Sequence, residues 1–324
     1  MSEEGAIRHL RVVRGRRARH ARSAVAPGGL LRDRLGALER EIDAALAAQA
    51  MPGSAGRQAL EAALDELLAA YANLRRGLAA DVVGATVLRA LYRLWWRVEA
   101  VGLERVPARG RALLVANRAG ILLPYEALMV AVAVAIDHPA GRVAWPLVDD
   151  WVARLRLSSA LGALRATPGV MRRLLERDEA VIVLPEGREA CAKSRRRWYR
   201  LAGFGRGGFA RVAIETGTPI VPVAVVGPEE SQPVLWRLDA VGRWLGLPSL
   251  PITPTFPWLG PAGLVPLPTK WTLHVGDPLD VAALYPPEAV RDPRSVLRVR
   301  DQVRERLQAL VSEGVRRRRG IFLG

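Results

Sequence analysis

Cysteine occurs once in the 324 residues, at Cys191. That excludes an intramolecular disulfide and any multi-cysteine zinc site, and it suits a reducing compartment. Histidine is nearly as scarce: His9, His20, His138 and His274 are too scattered to form a metal motif. No uninterrupted apolar run reaches the ~18 residues of a spanning helix. The best candidate, 112–136, carries Arg118 and Glu126, and its uncharged end "ALMVAVAVAI" reads as a buried helix. The opening "MSEEGAIRHLRVVRGRRARHARSAV" has no apolar core after its charges, so no signal peptide is expected. No helix-turn-helix, zinc or RNA-recognition signature is present.

What is abundant is positive charge. Lys and Arg number 48 against 32 Asp and Glu, a net +16, which attracts polyanions: nucleic acid, anionic lipid headgroups or phosphorylated substrates. Half the chain is hydrophobic, ample for one sizeable core and a small extra subdomain.

Residues 1–30 read as a basic arm, with seven Arg between 8 and 22. It is either solvated and disordered or condensed on a negative membrane surface. Residues 31–83 read as a helical hairpin: Leu31, Leu35, Leu38, Ile42 and Leu46, then Leu60, Leu64, Leu67, Leu68, Tyr71 and Leu74, fall at helical spacing around the turn "MPGSAG". The hairpin suits packing on the main domain, self-association or recruitment of a partner enzyme. A third helix is expected over 84–100, opening the main domain, 84–324. Arg89, Arg93 and Arg97 recur there beside Trp95 and Trp96, which suits either a lipid interface or an ordinary wet face.

From residue 101 the texture alternates. "ALLVAN" (112–117), "AVIVLPEG" (180–187), "TPIVPVAVVG" (218–227) and "KWTLHVGDPLD" contain strands. Helices are expected after Pro124, near 168–177, over 207–217 with Gly217 as C-cap, and over 294–313, with loops between. The fold class is therefore α/β with a largely parallel central sheet flanked by helices. The Pro-, Gly- and Trp-rich stretch 228–270 reads as a long ordered loop or a lipid-facing cover. The end "RRRRGIFLG" suits a weak membrane tether or a frayed tail.

One stretch concentrates anion-binding features. After Pro185-Glu186-Gly187 come Arg188, Lys193, Arg195, Arg196, Arg197 and Arg200, and Gly205-Arg206-Gly207-Gly208 then opens a helix. Exposed backbone N–H groups and the helix dipole suit phosphate there.

"VGLERVPARGRALLVAN", "LLPYEAL", "AVIVLPEGR", "YRLAGFGRGGFARVAIETGTPIVPVAVVGPEE" and "PITPTFPWLGPAGLVPLPTKW" occur in this order. Together they resemble the lysophospholipid and glycerolipid acyltransferase family, in the bacterial branch of 1-acylglycerol-3-phosphate acyltransferase-like proteins. The resemblance covers roughly residues 95–320. It implies an α/β domain on the cytoplasmic, inner face of a membrane, with a two-helix N-terminal element touching lipid. It implies an acyl-CoA or acyl-ACP donor, a lysophospholipid or glycerol-phosphate acceptor, no metal and no other cofactor. Anionic membrane lipids are the expected partners and nucleic acid is not; the residues specify no oligomeric state. In the family, a His held by an Asp deprotonates the acceptor hydroxyl, and the oxygen attacks the thioester. Glu186, Gly187 and Arg188 match the acceptor-binding motif, and Pro219 or Pro222 matches the Pro of the later strand motif. Asn117, Lys193, Arg206 and Gly207 complete the expected substrate site.

The departure lies at the catalytic pair. The family's Asn-His matches Asn117-Arg118, and its Asp matches Glu126. Arg offers no lone pair and stays protonated, so it is no general base. Arg118 and Glu126 are therefore expected to form a salt bridge at the pocket mouth, with acyl transfer weakened or lost. Glu126 could act as a base only with a raised pKa, and a neighbouring Arg opposes that. His138, His274 and Cys191 are expected to be structural. The rivals are an active acyltransferase with an unconventional base and a non-enzymatic protein that binds anionic lipid or nucleic acid.

Overall fold

The computed structural model describes residues 87–119, 122–153, 163–191 and 193–322, all within the unit Arg75–Gly324. The expected arm (1–30) and hairpin (31–83) lie outside the described residues.

Seven of the described strands form one sheet. They are β1 (Glu99–Val101), β2 (Ala112–Ala116), β3 (Ala144–Val148), β4 (Leu164–Arg165), β5 (Ala180–Val183), β6 (Ile220–Val226) and β9 (Thr272–Val275). Their order is β1-β9-β6-β2-β5-β3-β4. Every neighbouring pair is parallel except β6 with β9. Strands β2 and β5 are unbroken aliphatic runs, β6 is one but for Pro222, and all three are buried at every position, as a sheet covered on both faces requires. The remaining two strands, β7 (Trp236–Leu238) and β8 (Leu250–Ile252), pair with each other apart from the sheet.

Four longer helices cover the sheet. Helix α1 (Tyr125–Ile136) follows β2 and is buried from Glu126 through Val134. Helix α2 (Pro168–Glu176) starts at Thr167, whose side chain accepts from the Val170 amide at 3.2 Å. Helix α3 (Gly208–Thr216) ends, as the sequence suggests, on Gly217 at φ 61°, a left-handed cap that glycine adopts without penalty. Helix α5 (Pro293–Arg317) buries Val296, Val299, Val303, Leu307 and Val311 as one stripe. A shorter helix, α4 (Asp239–Trp244), joins β7 towards β8.

The structure corrects several expectations. The helix expected over 84–100 is present from residue 87, the first described there, but it ends early: it closes in a π-helical turn at Leu91–Trp95, and the chain enters β1 at Glu99. Trp96 is not interfacial: it is buried and stacked on Trp271, with centroids 4.3 Å apart. Arg93 pairs with Asp137, and Arg97 donates to the carbonyls of Trp95, Pro268 and Phe322, so the two have protein partners. Strands β3 and β4 fall where loops were expected. Pro146 interrupts the β3 pattern, yet the strand pairs with β5 through Trp145 and Pro146. The 228–270 stretch is ordered, as a hairpin, α4 and a 3-10 turn. The tail is not frayed through Phe322, because the Lys270 amide donates to Ile321 and Arg97 holds the Phe322 carbonyl.

Candidate active site

Parallel strands deliver their loops to one end of a sheet, and sites of α/β folds form there. Here β2 ends at Asn117-Arg118, β3 at Asp149, and β5 at Leu184-Pro185-Glu186. The first turns of α2 and α3 approach the same end. A cavity of about 240 Å³ lies between them, lined among others by Arg118, Asp149, Thr167, Gly187, Phe204 and Gly208. Two helix N-termini and an Arg thus border one cavity, an arrangement that favours an anion, with Asp149 as the opposing charge.

Arg118 is the least expected occupant. Its side chain is 1 % exposed, and Nη1 sits 2.9 Å from Asp149 Oδ2. Nη2 donates to the Leu122 carbonyl at 3.1 Å, and the guanidinium lies 5.9 Å from the Trp151 ring centroid. Its backbone is clamped as well: the amide donates to Glu186 Oε1 at 2.7 Å and the carbonyl accepts from Lys193 Nζ at 2.6 Å. The expected Arg118–Glu126 salt bridge is not formed. Glu126 instead accepts the Ala119 amide at 2.7 Å, holding the loop after β2 onto the first turn of α1. The carboxylate that pairs with Arg118 comes from β3, a strand the sequence pattern hides.

The other expected site residues divide into two groups. Glu186 is central: besides the Arg118 amide, it accepts from the Ala202 amide at 2.6 Å and from Lys193 Nζ at 2.9 Å. Through these three partners Glu186 ties the loops after β2 and β5 together. Lys193 is buried with it. Asn117 also braces: its amide exchanges two hydrogen bonds with the Val225 backbone, at 2.9 and 2.7 Å, extending the β2–β6 ladder by a side chain. Gly187 lines the cavity. Gly207, at φ 74°, caps α3, and a Cβ there would press on Val296 and Arg300 at 3.2 and 3.3 Å, so its glycine serves packing on α5. Arg206 is exposed and does not line the cavity. The Arg188 side chain is outside those described.

The candidates for a replacement base separate cleanly. His138 Nδ1 accepts from the Ala140 amide at 3.1 Å, and Nε2 lies 3.0 Å from the Val106 carbonyl. It follows Asp137, the C-cap at the far end of α1, whose 12 residues span about 18 Å. His274 sits on β9 beside Thr272 Oγ1. Cys191 packs in an apolar cluster with Val148, Trp151 and Leu247. Pro219 and Pro222 lie before and inside β6, their carbonyls accepting from Leu113 and Gly276.

Glu126 behaves differently from the expectation. Burial pushes its carboxyl up to about 7, outweighing the opposing pull of Arg118, its own and the Ala119 amides, and Lys193. Its Oε2 is buried with no hydrogen-bond partner among the described residues, and the same holds for Arg118 Nε.

Behind this layer lies a second buried carboxyl, Glu229, which follows Gly227-Pro228 at the end of β6. It accepts the Tyr199 amide at 3.2 Å, and burial raises it to about 8, against the pull of Lys193. Next to it, Glu230 accepts from Tyr199 Oη and from Arg318 Nη1, the latter at 2.5 Å. Burial and Glu230 together raise Tyr199, which stays neutral. Gln232 completes the layer, accepting the Leu122 amide and donating to the Leu264 carbonyl. Asp149, Glu229 and Gln232 were not singled out from sequence; "PLVDD" and "GPEES" each place acids just after an apolar run, and that was the available signal.

The sign of the linkage at Glu229 follows from its upward shift. The folded state holds a proton that the unfolded chain releases near its ordinary 4.5. The contribution to stability is whole below that value and is lost as pH rises towards about 8. A Glu229→Gln variant is expected to lose less stability than the native chain between pH 5 and pH 8. Parallel urea unfolding series at the two pH values test this; identical slopes in both proteins would contradict the assignment.

A model of the family described as "Acyltransferase" matches residues 124–226, which run from the start of α1 through β6. The chain belongs to that family. It is 41 % identical over 242 residues to a Mycobacterium tuberculosis protein described as uncharacterized, Rv0502, covering 74 % of this chain and 67 % of that one. A Mycobacterium leprae protein, ML2427, is 41 % identical over 241 residues, 73 % of this chain and 65 % of its own. Among solved structures, the 1-acyl-sn-glycerophosphate acyltransferase PlsC from Thermotoga maritima aligns over 90 % of this chain and 97 % of its own, at 16 % identity and a TM-score of 0.46. No described helix is long and apolar enough to cross a membrane.

Proposed function

We propose that this protein works at a membrane surface, where it binds an acyl thioester of coenzyme A or acyl carrier protein and a phosphorylated glycerolipid acceptor. Its O-acyl transfer is weak or lost. One observation carries the reading: the position matched to the family's base holds Arg118, buried and tied to Asp149 and the Leu122 carbonyl. A permanently protonated group so fixed takes no proton from an acceptor hydroxyl. It does suit binding, since it borders a cavity shared with two helix N-termini. Equilibrium binding of a non-hydrolysable acyl-CoA analogue and of lysophosphatidate, measured beside the transfer rate, tests the proposal. Both ligands are expected to bind while transfer stays slow; rapid turnover would overturn it.

A second reading rests on Glu126. A carboxyl held near 7, with one oxygen lacking a partner among the described residues, has the acidity a general base needs at neutral pH. On that reading the chain is active, its rate rises with pH around 7, and Glu126→Gln abolishes it.

A further inference from the structure

The three most exposed of the nine tryptophans share one excursion, between β6 and β9. Trp236 is 70 % exposed, and Trp244 and Trp258 are each 84 % exposed. Leu235, Leu245 and Leu259 stand exposed beside them in sequence. The excursion is ordered. Its β7–β8 hairpin is linked through α4, and at its base the Leu267 amide donates to the Ser231 carbonyl while Trp271 Nε1 donates to Ser231 Oγ at 2.8 Å. An ordered scaffold that presents Trp and Leu outward has not exposed them by fraying.

Charge identifies the occupant. A groove of about 630 Å³ runs between the excursion and the basic turn, with Val234, Trp236 and Arg237 on one wall and Glu189, Lys193 and Arg197 on the other. Arg195, Arg196 and Arg197 are exposed along its rim, and Arg243 is exposed on α4. The acids at this edge are Glu189 and Asp239, and Asp239 pairs with Arg237 at 3.3 Å. Bulky aromatics beside exposed Arg match the water–lipid boundary, where the rings sit at headgroup depth and the cations meet anionic phosphates.

We infer that the 235–259 excursion is the surface by which this domain docks on an anionic lipid leaflet, with Trp236, Trp244 and Trp258 inserting. The inference deepens the proposed membrane-surface role and rests on it. It gives that role a geometry: docking brings headgroups to a groove whose wall includes Lys193, and Lys193 holds the Arg118 carbonyl and Glu186. A headgroup in the leaflet then faces the loops of the candidate site. The basic arm at the N-terminus is, on this inference, not the principal anchor.

The test uses the full chain with vesicles of phosphatidylcholine, alone or mixed with phosphatidylglycerol, carrying brominated acyl chains. Tryptophan emission is expected to be quenched on the mixed vesicles and much less on phosphatidylcholine alone. A Trp236→Ser, Trp244→Ser, Trp258→Ser variant changes only exposed side chains, so its thermal unfolding should match the native chain. Its binding is expected to weaken about 100-fold, with the quenching lost. Replacing the seven Arg of residues 8–22 by Gln is expected to leave the quenching in place. Native-like binding by the Trp variant, or loss of binding only in the arm variant, overturns the inference. So does self-association that the Trp variant abolishes while vesicles leave the emission unquenched. Acyl-thioester binding in lipid-free buffer separates the two levels. If it persists while quenching fails, the docking surface is wrong and the ligand pocket stands; if it is absent, the pocket reading falls on its own.

Discussion

An Arg118→His, Glu126→Asp double variant is expected to transfer a long-chain acyl group to lysophosphatidate about 10²–10⁴-fold faster than the native chain, the range a positioned general base supplies. The structure favours this gain because the backbone at residue 118 does not depend on the Arg side chain. Glu186 accepts the amide and Lys193 donates to the carbonyl, and both contacts survive the substitution. The partner left behind, Asp149, is 26 % exposed, so water can solvate it and no fully buried charge is stranded. Shortening residue 126 by one methylene keeps a carboxyl in the first turn of α1, where negative charge is favourable. The readout is the steady-state rate with acyl-CoA at matched protein concentration. Equal rates in the two proteins sink the proposal that Arg118 is the lesion. Brisk native turnover that Glu126→Gln removes, with a rate that rises around pH 7, assigns the base to Glu126 instead.

What the sequence made legible and what it hid have different physical origins. Strands β2 and β5 are continuous aliphatic runs, β6 is one but for Pro222, and burial on both faces leaves no other pattern. Helix α3 is bracketed by glycines that must take positive φ, so its ends were readable to within a residue. Strand β3 was not legible: its sequence AWPLV sets Trp145 and Pro146 at its centre, and the aliphatic residues on either side make no run of their own. Losing β3 from view hid Asp149, and with it the true partner of Arg118. Opposite charges eight residues apart suggested the Arg118–Glu126 bridge, but a strand-to-helix turn sends the Glu carboxylate to the Ala119 amide instead. The Glu126 carboxyl departs from expectation for a related reason: at full burial desolvation outweighs the charged neighbour. Trp96 shows the same limit at the other end of the domain, since no local pattern tells a lipid-facing Trp from one stacked on Trp271.

Lys193→Met is expected to destabilise the domain by about 3–5 kcal/mol, the cost of breaking a buried ion pair from one side. Side-chain exposure is 4 % for Lys193 and 0 % for Glu186, so removing the ammonium leaves a carboxylate with no access to water. Two amide donors remain on Glu186, from Arg118 and Ala202, and these keep the loss from being larger. The neighbouring acids feel it too. Lys193 pulls down the carboxyls of both Glu126 and Glu229, so its removal raises them further and makes the loss of stability with rising pH steeper. A Glu186→Gln, Lys193→Met double variant removes both charges and is expected to recover much of the loss, because an uncharged buried pair strands no ion. Urea unfolding at pH 7 reads all three proteins. A loss below about 1 kcal/mol in the single variant would mean that water reaches Glu186 and that the pair is not closed. A full-sized loss with recovery in the double variant would identify this ion pair as the clamp that fixes the Arg118 backbone. The loop that carries residue 118 is then held by a buried charge pair that does not depend on whether that residue is His or Arg.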